Sequence, residues 1–343
     1  MTDRPHHKIF LLCLFCVTAM LLACDKERPA VAELSGATMG TTFSIRIAPP
    51  PTAVTQQRLR LDIERRLREI NDLMSTYQAD SALMRFNRSS DTNWLAVPME
   101  LANLIARAQA ISRLSDGRYD ITVQPLVELW GFGAAGARST PPLQDEIEAV
   151  LARVGYTQLS VSESPPRLRK NIAGLQIDLS SIAKGWAVDE LAKLLETQGQ
   201  NDFLVEIGGE VRAQGRKADG SPWRVAIQHP ADAGLAVHRV VELNDHAMAT
   251  SGDYRNYFVA GGESYPHTID PKSGQSIRQD LASVSVIADN CADADAWATA
   301  LLAMGQHNAP ALADRLELEA VFLVRTPNGL REQLSSAFVA ARR

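Results

Sequence analysis

The chain has 343 residues, 35 Lys and Arg against 40 Asp and Glu, 45% hydrophobic and 22% charged side chains, and four cysteines. That apolar content supports a sizeable core and excludes a collagen-like, low-complexity or disordered chain. The mild acidic balance leaves no electrostatic footprint for nucleic acid, and four cysteines in this length make no disulfide scaffold.

After a polar start with Arg4 and Lys8, residues Ile9 to Ala23 are almost uninterruptedly apolar. At about fifteen residues the run is short for a bilayer span and fits the core of a secretory signal. It ends in Leu21-Leu22-Ala23-Cys24, which resembles a bacterial lipobox, with cleavage before Cys24 and lipidation of its thiol. Asp25, directly after it, resembles an inner-membrane retention signal of enteric-type bacteria. Residues 1–23 are therefore read as a lipoprotein signal peptide, 24–34 as a lipidated tether, and 35–335 as one compact unit. The expected location is the inner membrane, lipid-anchored and facing the periplasm. Removal of the signal takes Cys13 and Cys16 with it, so their C-x-x-C carries no redox chemistry. Cys291 is left as a lone thiol, read as a buried structural cysteine.

Along the mature chain, Phe43, Ile45 and Ile47 alternate and predict a strand over 41–48. Leu59, Ile63, Leu67, Ile70 and Met74 fall at steps of four and three, which predicts an amphipathic helix over 57–77. Further helices are predicted over 99–115, stopped by Asp116-Gly117, and over 143–154. A short strand at 176–179 leads through Ser180 as N-cap into a helix over 181–198, closed by Gly199. Strands are predicted near 203–207, 210–214, 223–228, 238–243, 255–260, 283–288 and 319–324, with a helix over 292–304. Strands grouped in runs, without strict β-α alternation, indicate an α+β fold.

Gly131-Phe132-Gly133-Ala134-Ala135-Gly136 fits G-x-G-x-x-G, but a helical stretch precedes it and Arg138-Ser139-Thr140-Pro141-Pro142 follows, so a dinucleotide fold is not indicated. Asp295 and Thr299 lie four apart, on one face of a predicted helix. Hard oxygen ligands of this kind suit Mg²⁺; the alternative is that Asp293 and Asp295 only complement the helix dipole. In Asp178-Leu179-Ser180-Ser181-Ile182-Ala183-Lys184-Gly185 a helix start meets a cation in the first turn, where the dipole disfavours it. Such a lysine suits a phosphate-bearing ligand; a solvated surface lysine is the other reading. His267 precedes the polar turn Thr268-Ile269-Asp270-Pro271, whose carboxylate is placed to orient an imidazole. A structural histidine remains the alternative.

Taken together, these segments resemble the ApbE family of flavin transferases, collinearly over about residues 33–330. The resemblance is carried by Gly36 to Thr42, Met74 to Tyr77 with Asp80-Ser81, Arg85 to Asn87, Ser115 to Asp120, and Pro125 to Gly133. It continues through Asp178 to Gly185, Gly208-Gly209, Ala249 to Tyr254, His267 to Pro271 with Ser273-Gly274, and Ala292 to Ala300. It implies an ApbE-like fold of mixed, largely antiparallel sheets with packed helices. It also implies an enzyme that binds FAD and Mg²⁺ and moves FMN onto a Thr or Ser hydroxyl of an acceptor protein, releasing AMP. The acceptor motif so implied is D-x-x-[ST]-G-A-T, found in subunits of membrane electron-transport complexes such as sodium-pumping NADH:quinone reductase. Met39, Tyr77, Arg118, Tyr119, Asp120, Asp178, Lys184 and Thr268 are implied to contact FAD. Asp295, Thr299 and the backbone carbonyl of Ser181 are implied to hold Mg²⁺, and His267 to stand at the reacting phosphate. Many members have Gly where Ser180 or Ser181 stands, and Ile where Thr268 stands. Because a hydroxyl is a weak nucleophile, His267 is assigned as general base with Asp270 as its orienter. An FAD pyrophosphatase and a non-catalytic flavin-binding lipoprotein are the rival readings.

Overall fold

A computed structural model describes residues 31–230 and 236–342. The signal peptide and Cys24 lie outside the described residues.

One eight-stranded sheet organises the chain. Its strands are β1 (Ala32–Thr38), β2 (Thr41–Ile47), β6 (Phe203–Ile207), β7 (Glu210–Gln214), β10 (Ala247–Gly252), β13 (Leu281–Ala288), β14 (Glu319–Thr326) and β15 (Gly329–Leu334), in that spatial order. Every neighbouring pair is antiparallel. Small two- and three-stranded sheets surround it: β3 (Leu95–Ala96), β4 (Leu159–Glu163) and β5 (Pro166–Lys170); β8 (Trp223–Gln228) and β9 (Val237–Leu243); β11 (Tyr257–Ala260) and β12 (Glu263–Pro266). The helices are α1 (Ala53–Met74), α2 (Ala82–Arg88), α3 (Met99–Leu114), α4 (Gln124–Leu129), α5 (Gln144–Leu151), α6 (Ser180–Thr197), α7 (Cys291–Met304), α8 (Ala309–Arg315) and α9 (Ser336–Ala341). The fold is α+β with largely antiparallel sheets, as the sequence predicts.

Strand periodicity divides the core in two. Phe203, Val205 and Ile207 face the helical side with Phe43, Ile45 and Ile47, while Leu204 faces the other way. Likewise Ala320, Phe322 and Val324 join the main core, and Val321 and Leu323 the second. The main core packs against α1, α6 and α7; the second is closed by Trp223, Ile227, Val241 and Leu243 of the β8–β9 hairpin and by Phe338 of α9. Because both faces are covered, β6, β13 and β14 read as nearly continuous apolar runs, whereas β7 alternates. The fold begins and ends further out than the sequence indicated: β1 takes up residues 32–34 of the expected tether, and α9 lies beyond 335.

Helices α6 and α7 cross at Gly185. A Cβ there would stand 2.2 Å from the Cys291 carbonyl oxygen and 2.8 Å from the Asp295 Cβ, so only glycine allows this approach. Asp189 of α6 fixes the pair, accepting the N–H groups of Cys291 and Ala292 at 2.9 Å each and a bond from Arg212 at 2.9 Å. Cys291 is buried, and burial pushes its thiol well above the usual range, as befits a structural cysteine.

Two local expectations are corrected. Residues 176–179 form only a single bridge, Gln176 with Val123, and no strand. Ser180 is the first helical residue, with Leu179 at the N-cap. The capping acceptor comes from one residue earlier, where Asp178 Oδ1 takes the Ser180 N–H at 2.6 Å.

Candidate active site

A cavity of about 640 Å³ opens where the N-terminal turn of α6 and the inner face of α7 meet β7, β10 and the loops before β13. Of the residues implied by sequence, it gathers Tyr77, Arg118, Tyr119, Asp120, Asp178, Ser181, Lys184, His267, Thr268, Asp295 and Thr299 along its walls. Met39 and Asp270 are not among them. Met39 turns the β1–β2 hairpin with φ +50° and packs against the main core, while its neighbours Gly40 and Thr41 line the cavity.

His267 is set by the β11–β12 ribbon. Its backbone N–H and its Nδ1 both go to the carbonyl oxygen of Asn256, at 3.0 and 3.1 Å. A carbonyl only accepts, so Nδ1 carries the proton and Nε2 is left with its lone pair. Burial lowers the His267 pKa below its ordinary value, which keeps the ring neutral near pH 7. Asp270 does not orient it. That carboxylate accepts from Arg118 at 3.1 Å and from the Ser273 hydroxyl at 3.0 Å, tying the two turns together. The orienter is a main-chain carbonyl, which no side-chain pattern announces.

Across the cavity stands a charged floor. Lys184 Nζ lies 2.6 Å from Glu210 Oε1, and Glu210 Oε2 is buried with no partner among the described residues. Burial works against the Lys184 ammonium, but Asp295 and Glu210 outweigh it and its pKa is raised. The carboxyl of Glu210 is pushed up to about 7 by burial, against the pull of Lys184. Burial raises Asp295 in the same way. Glu210 was not singled out from sequence, although β7 carries the signal. Glu210, Arg212 and Gln214 alternate with apolar Val211 and Ala213, so this strand sends charges under the helices.

Asp295 Oδ2 accepts the N–H of Gly185 at 3.0 Å. Gly185 follows Ser181 by four residues, the spacing of that carbonyl's regular helical donor, so Asp295 meets the helix at the turn that carries the Ser181 oxygen. The Thr299 hydroxyl, one turn beyond Asp295, lies 2.9 Å from that of Ser251. Among the described residues no group of three or more His, Cys, Asp or Glu could hold a metal ion. Yet one carboxylate, one hydroxyl and one carbonyl, beside a buried unpartnered carboxylate oxygen, form the hard, sparse donor set that suits Mg²⁺, whose shell is completed by water and phosphate. The residues fit the ion. Asp293, by contrast, pairs with Arg107 at 2.5 and 2.7 Å and serves the packing of α3 on α7.

Two implied contacts are structurally committed. Asp120 accepts the Thr122 N–H and hydroxyl and the Tyr156 N–H at 2.7–2.8 Å, which consumes its carboxylate. Tyr119 is buried beneath Ser181, whose hydroxyl donates to it at 3.1 Å. Tyr77 is 72% exposed at the rim, an aromatic face free for a planar ligand. The glycine-rich loop wraps Glu128, which accepts the N–H groups of Ala134 and Ala135 at 3.0 Å each and takes no part in a dinucleotide fold.

A sequence profile described as the ApbE family matches residues 39–322. The chain belongs to the ApbE family. The FAD:protein FMN transferase of Vibrio cholerae is 40% identical over 326 residues, 95% of this chain and 97% of that one. That of Escherichia coli K12 is 37% identical over 334 residues, 95% of each chain. Among solved structures, the flavin transferase ApbE from Vibrio cholerae superposes with a TM-score of 0.84 at 39% identity, covering 91% of this chain and 99% of that one. Pseudomonas stutzeri flavinyl transferase ApbE gives 0.83 at 38%, covering 92% and 98%. As an ApbE-family member the chain is an enzyme, a transferase.

Proposed function

We propose that the protein transfers FMN from FAD to a Thr or Ser hydroxyl of an acceptor protein, releasing AMP. The observation that carries this reading is the neutral His267, its Nε2 free, in one cavity with Lys184 and the Asp295–Thr299 pair. The acceptor oxygen forms a bond to the FMN phosphorus as the bond from that phosphorus to the bridging oxygen breaks. The hydroxyl proton passes to His267 Nε2, and AMP carries away the electron pair. General-base assistance of this kind contributes about 10²–10⁴-fold. Lys184 holds positive charge against the pyrophosphate, and Glu210 keeps that ammonium in place. Tyr77 offers the flavin an aromatic face at the rim. Asp295, Thr299 and the Ser181 carbonyl would hold Mg²⁺, which when bound supplies Lewis-acid stabilisation of phosphate charge.

The acceptor class we propose is a protein with a D-x-x-[ST]-G-A-T motif, in flavin-bearing subunits of membrane electron-transport complexes such as sodium-pumping NADH:quinone reductase. The place of action is the periplasmic face of the inner membrane, with the chain held by lipid on Cys24. The test incubates a soluble form with FAD, Mg²⁺ and such an acceptor. A covalently fluorescent acceptor band with stoichiometric AMP is the expected result; AMP without the band assigns a pyrophosphatase, and neither product assigns a flavin-binding lipoprotein. In cells, Cys24→Ser should move the protein from the membrane to the soluble periplasmic fraction.

A further inference from the structure

We propose that Arg255, with the groove that opens beyond it, receives the acceptor polypeptide by engaging a carboxylate near the hydroxyl to be modified. The inference rests on the transfer reading above and names how the partner of that same site is held.

A groove of about 740 Å³ runs along the β11–β12 ribbon, with Tyr257 and Ser264 on the ribbon side and Gln279 and Arg325 opposite. Arg255 lines both this groove and the catalytic cavity, so the two meet at its side chain. The next residue in the chain, Asn256, supplies the carbonyl that fixes His267. A segment lying in the groove therefore reaches the base from the Arg255 side. The hydroxyl needs such a second approach, since the nucleotide must occupy the cavity itself when transfer occurs.

The charges along the groove single out Arg255. Arg325 is held by both oxygens of Asp253, at 2.6 and 2.7 Å, and Arg278 is paired with Glu263. Arg255 donates only to neutral oxygens, to Gln228 Oε1 at 3.0 Å and to the Gly208 carbonyl at 3.5 Å. Among the described residues it has no carboxylate partner. Its position is nonetheless built. The guanidinium lies over the β6–β7 turn at Gly209, where φ is +107° and a Cβ would come within 3.1 Å of Nη1. The Tyr254 ring flanks it, 5.9 Å from centroid to Cζ. An exposed, pre-placed guanidinium with no carboxylate partner among the described residues is complementary to an acidic partner and suited to bidentate recognition. Beside it, exposed Tyr257 and Val259 offer apolar surface for the rest of a peptide.

The experiment measures FMN transfer to an acceptor protein bearing the D-x-x-[ST]-G-A-T motif, together with FAD binding by flavin fluorescence, for wild type, Arg255→Gln and Arg255→Glu. Arg255→Glu should raise the acceptor KM at least tenfold, and Arg255→Gln less, while the FAD Kd stays within about twofold. An acceptor whose motif Asp is replaced by Lys should recover at least fivefold in kcat/KM with Arg255→Glu relative to its rate with wild type. An unchanged acceptor KM overturns the assignment. So does a parallel rise in the FAD Kd, which would give Arg255 to the nucleotide, or a charge-swapped acceptor that gains nothing. Failure of wild type to modify the acceptor at all overturns the transfer reading itself, a result distinct from any of these.

Discussion

Lys184 Nζ lies 2.6 Å from Glu210 Oε1 at the floor of the cavity, and Oε2 of the same carboxylate has no partner among the described residues. Lys184 is the fifth residue of α6, so its cation stands just past the N-terminal turn, at the helix end whose dipole disfavours positive charge. A carboxylate from a neighbouring strand makes the placement tolerable. Replacing Glu210 by Gln removes the charge but keeps the shape. The amide oxygen still accepts from Lys184, but the charge that helps raise the ammonium pKa is gone, so that pKa should fall, as an NMR titration of the lysine Nζ signal would read.

The same residue sets a pH dependence. Its carboxyl is pushed up to about 7 from 4.5, so across that window the folded chain keeps a proton that the unfolded chain has lost. More protons bound in the native state means that stability falls as pH rises through the window. The metal-free protein should therefore lose stability between about pH 4.5 and 7 at this site, and Glu210→Gln should flatten the slope. Unfolding midpoints taken at half-unit intervals in metal-free buffer would measure both.

His267 titrates in the opposite sense for activity. Its pKa lies below 6.5 because burial disfavours the imidazolium, so the base stays neutral to lower pH than a free histidine. The limb of kcat/KM that reports this base should lie below pH 6.5 and vanish in His267→Gln. That variant should transfer FMN about 10²–10⁴-fold more slowly. A limb unchanged in His267→Gln would remove the histidine from the base role.

Metal binding should register as stability. Mg²⁺ at a hundred times its Kd stabilises by about 2.7 kcal/mol if it binds only the folded chain. Asp295→Asn should abolish most of that thermal shift, because it removes the one carboxylate of the donor set. A full Mg²⁺ shift in Asp295→Asn would place the ion elsewhere.

Gly185→Ala tests the α6–α7 crossing. The added methyl meets main-chain carbonyl and the Asp295 stem at under 3 Å, and neither is the movable end of a side chain. Overpacking of this kind costs about 1–3 kcal/mol. Since Asp295 shifts with the helix, Mg²⁺ affinity should drop as well, which isothermal titration would quantify.

Helix periodicity carried furthest in α1, which buries a single stripe, whereas α6 and α7 are buried nearly all round and the central sheet is covered on both faces. Phe203–Ile207, Glu210–Gln214 and Trp223–Gln228 stand where the sequence predicts them. The elements passed over include short or edge pieces such as α2, β3, β12 and β15, and also the central strand β10, whose Ala247 to Gly252 shows no apolar alternation. At the site, spacing and an oddly placed charge drew attention to Asp295, Thr299 and Lys184 but left a bland reading open for each, and only the family resemblance implied their ligand roles. Asp270 was misread because a carboxylate three residues from a histidine is close along the chain, yet the turn carries it toward Arg118.

By itself the sequence determined the α+β class and the order of most of the main elements. Those follow from local periodicity and side-chain chemistry, which act within a few turns of chain. Only the tertiary structure decided that the Asn256 carbonyl fixes the His267 tautomer, that Glu210 answers Lys184, and that Arg255 stands where groove and cavity meet. The first joins residues across the β11–β12 hairpin through a main-chain oxygen that every residue possesses, the second joins a helix to a strand, and the third depends on how several loops meet. Their partners are selected by packing geometry, to which residue identity along the chain is blind.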